Sequence, residues 1–311
     1  MKDSFQFVEI DHKDGKPVVQ RFAKRSVPIP LSHDNLLNED FHNKYKQVIL
    51  EAVEEYNLAG PVVISLDSQL AFVKKFLVDL SLEEEKIEEQ LNWEYRQIFP
   101  QSSLSEYNFV YAHLSAGLDG NKAEILAVAF RKDLAKAVKR LFGQTDLDLK
   151  QIDLDLFSAL NGLNELYGTA EIGLSALADV RRDTLKIQFI RKGEFFDCHK
   201  ISIASEGEES NGEAFDSDES LSRLLNKEMR RKLLEYRLDS EDKAIDALYL
   251  FGEKANSDLV DYLAISPARE VVLVEPFKKL EINSELAGYS EDTPLSSEYT
   301  ISIGSALRAI E

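Results

Sequence analysis

The chain has 311 residues, 44% of them apolar and 30% charged, which is enough for about two globular domains. Its net charge of −19 argues against direct binding to nucleic acid or anionic lipid. The single cysteine, Cys198, excludes an internal disulfide and any cysteine-rich zinc site. The five histidines show no metal-ligand spacing, and no apolar run reaches the ~20 residues of a membrane span, so a cytoplasmic protein is expected.

Alternation in 5–10 and 17–25, around Lys13-Asp14-Gly15, predicts a β-hairpin. Helical spacing of apolar residues predicts a helix over 43–57, stopped at Gly60-Pro61. The run 61–67 reads as a buried strand, with "LAFVKKFLVD" (70–79) as its expected partner. Ser81-Leu82-Glu83-Glu84 reads as a capping box that opens a helix through Ile98. Strands are expected near 107–115 and 123–131, around a Gly117–Gly120 turn, followed by an amphipathic helix over 133–142. The stretch 146–168 passes from extended chain into a helix that ends near Gly168.

"LSALADVRRDTLKIQFIRKGEFF" (174–196) reads as strand, tight turn and strand, with a third strand over 194–203. Asp179 stands at the tip of the first strand, where a phosphate- or metal-facing carboxylate is often found. The turn Val180-Arg181-Arg182-Asp183 contains no glycine. The residues alone leave two readings open, a phosphate hairpin that has lost its glycine or a plain hairpin. Cys198 and His199 are adjacent on a strand and point to opposite faces, so Cys198 reads as a structural thiol. Segment 205–219 holds seven acids and no base and predicts a mobile loop. A helix near 220–237, a strand over 244–252, a short helix at 257–265 and a buried strand over 270–277 follow. The chain closes with a strand-to-helix segment at 299–311, with Gly304 at the junction.

Each half opens with antiparallel strands and continues with alternating helices and strands, which fits an α/β protein of two related lobes. Five stretches, taken in order, resemble the actin-like ATPase superfamily, most closely the type IV pilus assembly family PilM and its cell-division relative FtsA. They are "VVISLDSQLAFVKKF", "IEEQLNWEYRQIFP", "AEILAVAFRKDLAKAVKRLF" with "DLKQIDLDLFSAL", "ALADVRRDTLKIQFIRKGEFF", and "LYLFGEKANSDLVDYLA" with "YTISIGSALRAI". The resemblance implies a two-lobed actin-like ATPase (ribonuclease H-like) fold with a subdomain inserted in the first lobe. It sets 1–78 and 290–311 in the first-lobe core, 79–148 in the inserted subdomain and 149–204 with 240–289 in the second-lobe core. Residues 205–239 become an acidic loop and the helix of a reduced upper subdomain. "KDSFQFVEI" is similar to the second strand of the family's opening hairpin, so the first strand, with its Asp-x-Gly turn, is absent, and either residues upstream of Met1 or another segment of the chain is expected to fill its slot.

The resemblance also implies nucleotide-binding motifs, and this chain departs from them. Asp179 matches the aspartate of the second phosphate hairpin, but Arg181 replaces its glycine. The adenosine loop keeps Gly252 and has Glu253 where a second glycine belongs. Gly304 falls on the second interlobe helix, where it suits a tight contact. No catalytic residue and no metal site is expected, and ATP–Mg²⁺ is expected to bind weakly if at all. The leading expectation is a non-catalytic scaffold of a type IV pilus or type II secretion inner-membrane platform. The alternatives are a working ATPase whose first phosphate loop lies upstream of Met1, or an orphan actin-fold binding protein. The family implies recruitment to the inner membrane by the cytoplasmic tail of a partner resembling PilN. That tail would lie in a groove lined from 61–78 and the 82–98 helix. Neither nucleic acid nor direct membrane insertion is expected, and self-association is left open.

Overall fold

The computed structural model describes residues 3–79, 81–99, 103–119, 122–203, 217–237, 244–283 and 297–310. The acidic run expected to be a mobile loop lies outside the described residues, apart from 217–219. The chain divides into two compact units, Met1–Glu9 with Arg21–Asp155, and Ile10–Gln20 with Leu156–Glu311.

The first unit starts with the base of a hairpin, β1 (Ser4–Lys13) and β2 (Lys16–Ser26). Its turn residues Asp14 and Gly15 have φ of 53° and 76°, the left-handed pair that a two-residue hairpin of matching twist requires. After α1 (His33–Leu37), α2 (Glu39–Tyr56) begins where Asn38 Oδ1 accepts from the backbone N–H groups of Asp40 and Phe41. Its stripe of Tyr45, Ile49 and Ala52 is buried, as the helical spacing requires. β3 (Gly60–Leu66) pairs in parallel with β7 (Leu147–Leu154) and not with the strand that follows it in sequence. A short 3₁₀ turn at Ser68–Leu70 leads the chain out of that sheet into β4 (Ala71–Asp79), which pairs with a different strand.

β4, β6 (Lys122–Arg131) and β5 (Tyr107–Asp119) form an antiparallel sheet in the order β4-β6-β5. α3 (Glu84–Ile98) covers one face of it and buries Ile87, Leu91 and Tyr95 against Phe76, Val78, Ile125 and Ala127. The expected capping box does not form. The N-cap is Glu83, without a side-chain bond, because Ser81 Oγ is engaged by Asp79 Oδ1 at 2.7 Å. α4 (Lys132–Leu141) places Leu134, Val138 and Leu141 in another core, beside Leu36, Tyr45 and Ile49. The insert with a core of its own therefore runs from β4 to β6, a different division from the 79–148 set by sequence. Among the described residues no strand bridges the β1–β2 and β3–β7 sheets, although Phe5, Phe7, Val62 and Ile64 all pack on that same core.

The second unit is built on a five-stranded sheet in the order β10-β9-β8-β11-β12. β8 (Leu174–Val180), β9 (Thr184–Arg191) and β10 (Glu194–Ser202) run antiparallel, while β11 (Ile245–Phe251) runs parallel to both β8 and β12 (Ala268–Leu273). One face packs under α6 (Asp218–Glu235) and α7 (Ser257–Tyr262), through Leu221, Leu225, Met229 and Leu259. The other packs under α5 (Asp155–Tyr167) and α8 (Thr300–Ala309), through Ala159, Leu163 and Ile301. A two-residue strand, β13 (Glu281–Ile282), adds to β2 at Val18 and Val19.

Gly304 is not at a strand-to-helix junction. It sits inside α8, where a Cβ would fall 1.8 Å from the carbonyl oxygen of Ser158 on α5. Opposite it, a Cβ on Gly162 would meet the Gly304 Cα at 3.2 Å. Two glycines let the helix backbones touch, and Asn161 Nδ2 donates to the Gly304 carbonyl at 3.0 Å. This crossing groups α8 with the second unit, whereas the sequence reading set 290–311 with the first lobe.

Candidate functional site

The strongest constellation lies at the tip of the β8–β9 hairpin. Arg181 N–H donates to the Thr184 carbonyl at 2.9 Å and closes the turn. None of residues 181–183 has a positive φ, so an arginine fits at 181 without backbone strain. Parallel pairing sets Phe251 of β11 beside Asp179, which brings the 252–255 loop over the hairpin. Gly252, at φ 106°, is required there, since a Cβ would lie 2.6 Å from the Val180 carbonyl oxygen and 2.7 Å from Asp179 Oδ1. Lys254 N–H donates to the Val180 carbonyl, and Ser297 Oγ donates to the Gly252 carbonyl.

Asp179 is 5% exposed, and its Oδ2 accepts from Arg181 Nε at 2.7 Å and faces the terminal guanidinium nitrogen at 2.6 Å. The carboxylate thus carries an internal cation, which makes its burial tolerable. Across the tip, Glu253 Oε1 accepts the backbone N–H of Arg182 at 2.7 Å. The N–H that a phosphate oxygen would seek is held by a carboxylate of the chain itself. Four of the five sequence-predicted positions, Asp179, Arg181, Gly252 and Glu253, are therefore brought together. Gly304 belongs instead to the α5–α8 crossing. At this tip one oxygen of the Asp179 carboxylate already has a guanidinium, and the Arg182 amide already has an anion. Among the described residues no group of three or more His, Cys, Asp and Glu could hold a metal ion.

A second polar cluster was missed in the sequence. Glu228 on α6, its side chain 2% exposed, receives Arg231 at 2.6 Å and His199 Nε2 of β10 at 3.1 Å. Burial first, and then the Arg231 charge, push the His199 pKa down, while Glu228 opposes them. Beside it Tyr236 donates to Asp197 Oδ2 at 2.7 Å, and burial followed by that carboxylate drives the phenol pKa far up. The signal was present. Glu228 falls on the apolar stripe of Leu221, Leu224, Leu225 and Met229, where a charge needs a partner.

A family model for type IV pilus assembly protein PilM matches residues 2–196, more than half of the chain. The chain belongs to the PilM family. A solved structure of the PilM–PilN type IV pilus biogenesis complex is similar to it, at 18% identity over 100% of this chain and 96% of that one, with a TM-score of 0.71. Also similar are the cytoplasmic domain of EpsL, an inner-membrane component of the Vibrio cholerae type II secretion system, and EutJ of Carboxydothermus hydrogenoformans. EpsL is 12% identical, covering 98% of this chain and 95% of that one, with a TM-score of 0.43. EutJ is 11% identical, covering 98% and 86%, with a TM-score of 0.47. No curated protein matches the sequence. The fold of this PilM-family chain is the actin-like ATPase fold. No described helix is long and apolar enough to cross a membrane.

Proposed function

We propose that this PilM-family chain is a non-catalytic scaffold in the inner-membrane assembly platform of a type IV pilus or type II secretion system. It is held there by the cytoplasmic tail of a membrane partner resembling PilN. The observation that carries the non-catalytic reading is the hairpin tip, where Arg181 neutralises Asp179 and Glu253 caps the Arg182 amide. A nucleotide would have to displace both, and Glu253 would repel it.

The partner is supported by family membership and by the solved PilM–PilN complex. The tail lies beside the β4–β6 insert as an extended peptide, using apolar anchors and main-chain hydrogen bonds. At a net charge of −19, Lys or Arg on that tail is attracted over about 8–10 Å at physiological salt. Binding then weakens with salt without vanishing, since apolar contacts are unscreened.

One thermal-melting series tests both halves. A ligand that binds only the folded chain raises the melting temperature by mass action. The candidate tail peptide is expected to raise it and millimolar ATP–Mg²⁺ to leave it unchanged. A clear shift with ATP–Mg²⁺, lost in Asp179→Ala, would instead favour a working ATPase. No shift with the tail peptide would remove the partner.

A further inference from the structure

The β4–β6–β5 sheet of the insert has an unusual edge. Sheets normally blunt their edges with charge, proline or bulges so that no other strand can add. β4 does so with Lys74 and Lys75, and β12 with Arg269 and Glu270. β10 uses Glu194, Asp197 and a register shift after Phe195, while β3 carries Pro61. β5 does not. From Tyr107 to Leu114 it reads YNFVYAHL, with no acid, lysine, arginine or proline, and it pairs with β6 on one side only among the described strands. Val110, outside the α3-covered row, is 63% exposed.

At the end of this edge is a cavity of about 230 Å³. Its floor is Val78, Leu82, Ile87 and Ala123, and its rim is Asp79, Glu84 and His113 of β5. That volume is below the roughly 300–1,000 Å³ of pockets for drug-sized ligands and suits one long side chain. The rim is negative. Lys122 lies within electrostatic reach of Asp79, and the α3 N-terminus adds about half a positive charge. Against these stand Asp79, Glu84 and the nearby Glu88, and the fields of Glu84 and Glu88, after burial, push the Tyr111 phenol pKa up. An apolar floor under a carboxylate rim matches the aliphatic stem and charged head of lysine or arginine.

We propose that β5 is a docking edge, which takes an extended basic segment of a partner protein as a fourth strand and seats one of its Lys or Arg side chains in this pocket. The pocket sits where β4 ends and β6 begins, at the far end of the insert from the 3₁₀ turn that leads into β4. Its Val78, Leu82, Glu84 and Ile87 also fall within the 61–78 and 82–98 stretches of the tail groove, so what sets this inference apart from the tail reading is strand addition at the β5 edge, read by protection of 107–114.

The test uses the full chain and a displayed library of random decapeptides. Enriched peptides are expected to be rich in β-forming residues, to carry one Lys or Arg at a fixed position, and to protect the amides of 107–114 from hydrogen exchange. Replacing that basic residue by norleucine, or Glu84→Lys in the protein, is expected to weaken binding at least tenfold. Glu89→Lys makes the same change in net charge on an exposed position outside the pocket and is expected to leave affinity within about twofold. The proposal is overturned by any of four results: no enrichment, enriched peptides without a basic residue, protection away from β5, or equal losses from the two lysine variants. Protection of 107–114 that appears on self-association without peptide would assign the edge to a second copy and overturn it as well.

Discussion

Arg181→Ala removes the cation from a nearly buried carboxylate. The guanidinium nitrogen lies 2.6 Å from Asp179 Oδ2, and the two side chains are 18% and 6% exposed. At an effective dielectric constant near 20, the direct attraction at that distance is about 6 kcal/mol. Roughly half is offset by the hydration both groups gave up, which leaves about 3 kcal/mol, the low end for breaking a buried pair. For units of this size about 1 kcal/mol moves the melting temperature by roughly 2–4 °C, so a drop of roughly 6–12 °C is expected. A thermal double-mutant cycle with Asp179→Asn checks the cause. With the charge gone Arg181 has nothing to neutralise, so the double variant should lose much less than the sum of the two singles. If Arg181→Ala melts within about 2 °C of the parent, or if the losses simply add, the pair does not hold the tip and the latch argument fails.

Gly304→Ala sets a Cβ 1.8 Å from a backbone oxygen and should cost at least 3 kcal/mol, more than the usual overpacking penalty of about 1–3, whereas Gly162→Ala, at 3.2 Å, should cost less; denaturant titration ranks them. Tyr236→Phe takes a donor from Asp197 while Lys232 remains at 3.4 Å, so urea unfolding should show a loss of about 1–2 kcal/mol. His42 and His199 both have pKa values lowered from 6.5, chiefly by burial. The unfolded chain therefore binds more protons at mildly acid pH, and stability, complete above 6.5, should fall as pH drops below it. A profile from pH 7.5 to 5 should slope in that sense and become shallower in His199→Gln, with His42 keeping part of the slope. A flat parental profile would contradict the shifts.

Much of this was legible in the sequence, for a physical reason. α2 and α4 declare themselves by apolar residues on one face, and the 5–25 hairpin by alternation around Asp14-Gly15, since both patterns are local. What stayed hidden depends on partners far along the chain. Glu253 reads as a lone charge in a glycine-poor loop until its hydrogen bond to Arg182, 71 residues away, is seen. Gly304 looks like a helix start because nothing nearby reveals that Ser158 lies against it. β3 and β4 look like a pair because they are neighbours in sequence, yet β3 finds β7 and β4 finds β6. Ser81 and Glu84 have capping-box spacing, but the box lost its serine to Asp79.

The α5–α8 crossing sets a timetable for synthesis. At about 5–20 residues per second a ribosome releases the first unit, contained in residues 1–9 and 21–155, well before the second. The second cannot close until residues 300–309 have left the exit tunnel, because α8 lies directly on α5 and covers part of the sheet face of Leu177, Tyr249 and Ile190. Between emergence of α5 and of α8 the ribosome must read roughly 150 codons, on the order of 10–30 s. For that interval the nascent chain carries an open apolar face, and a chaperone has a defined window in which to hold it.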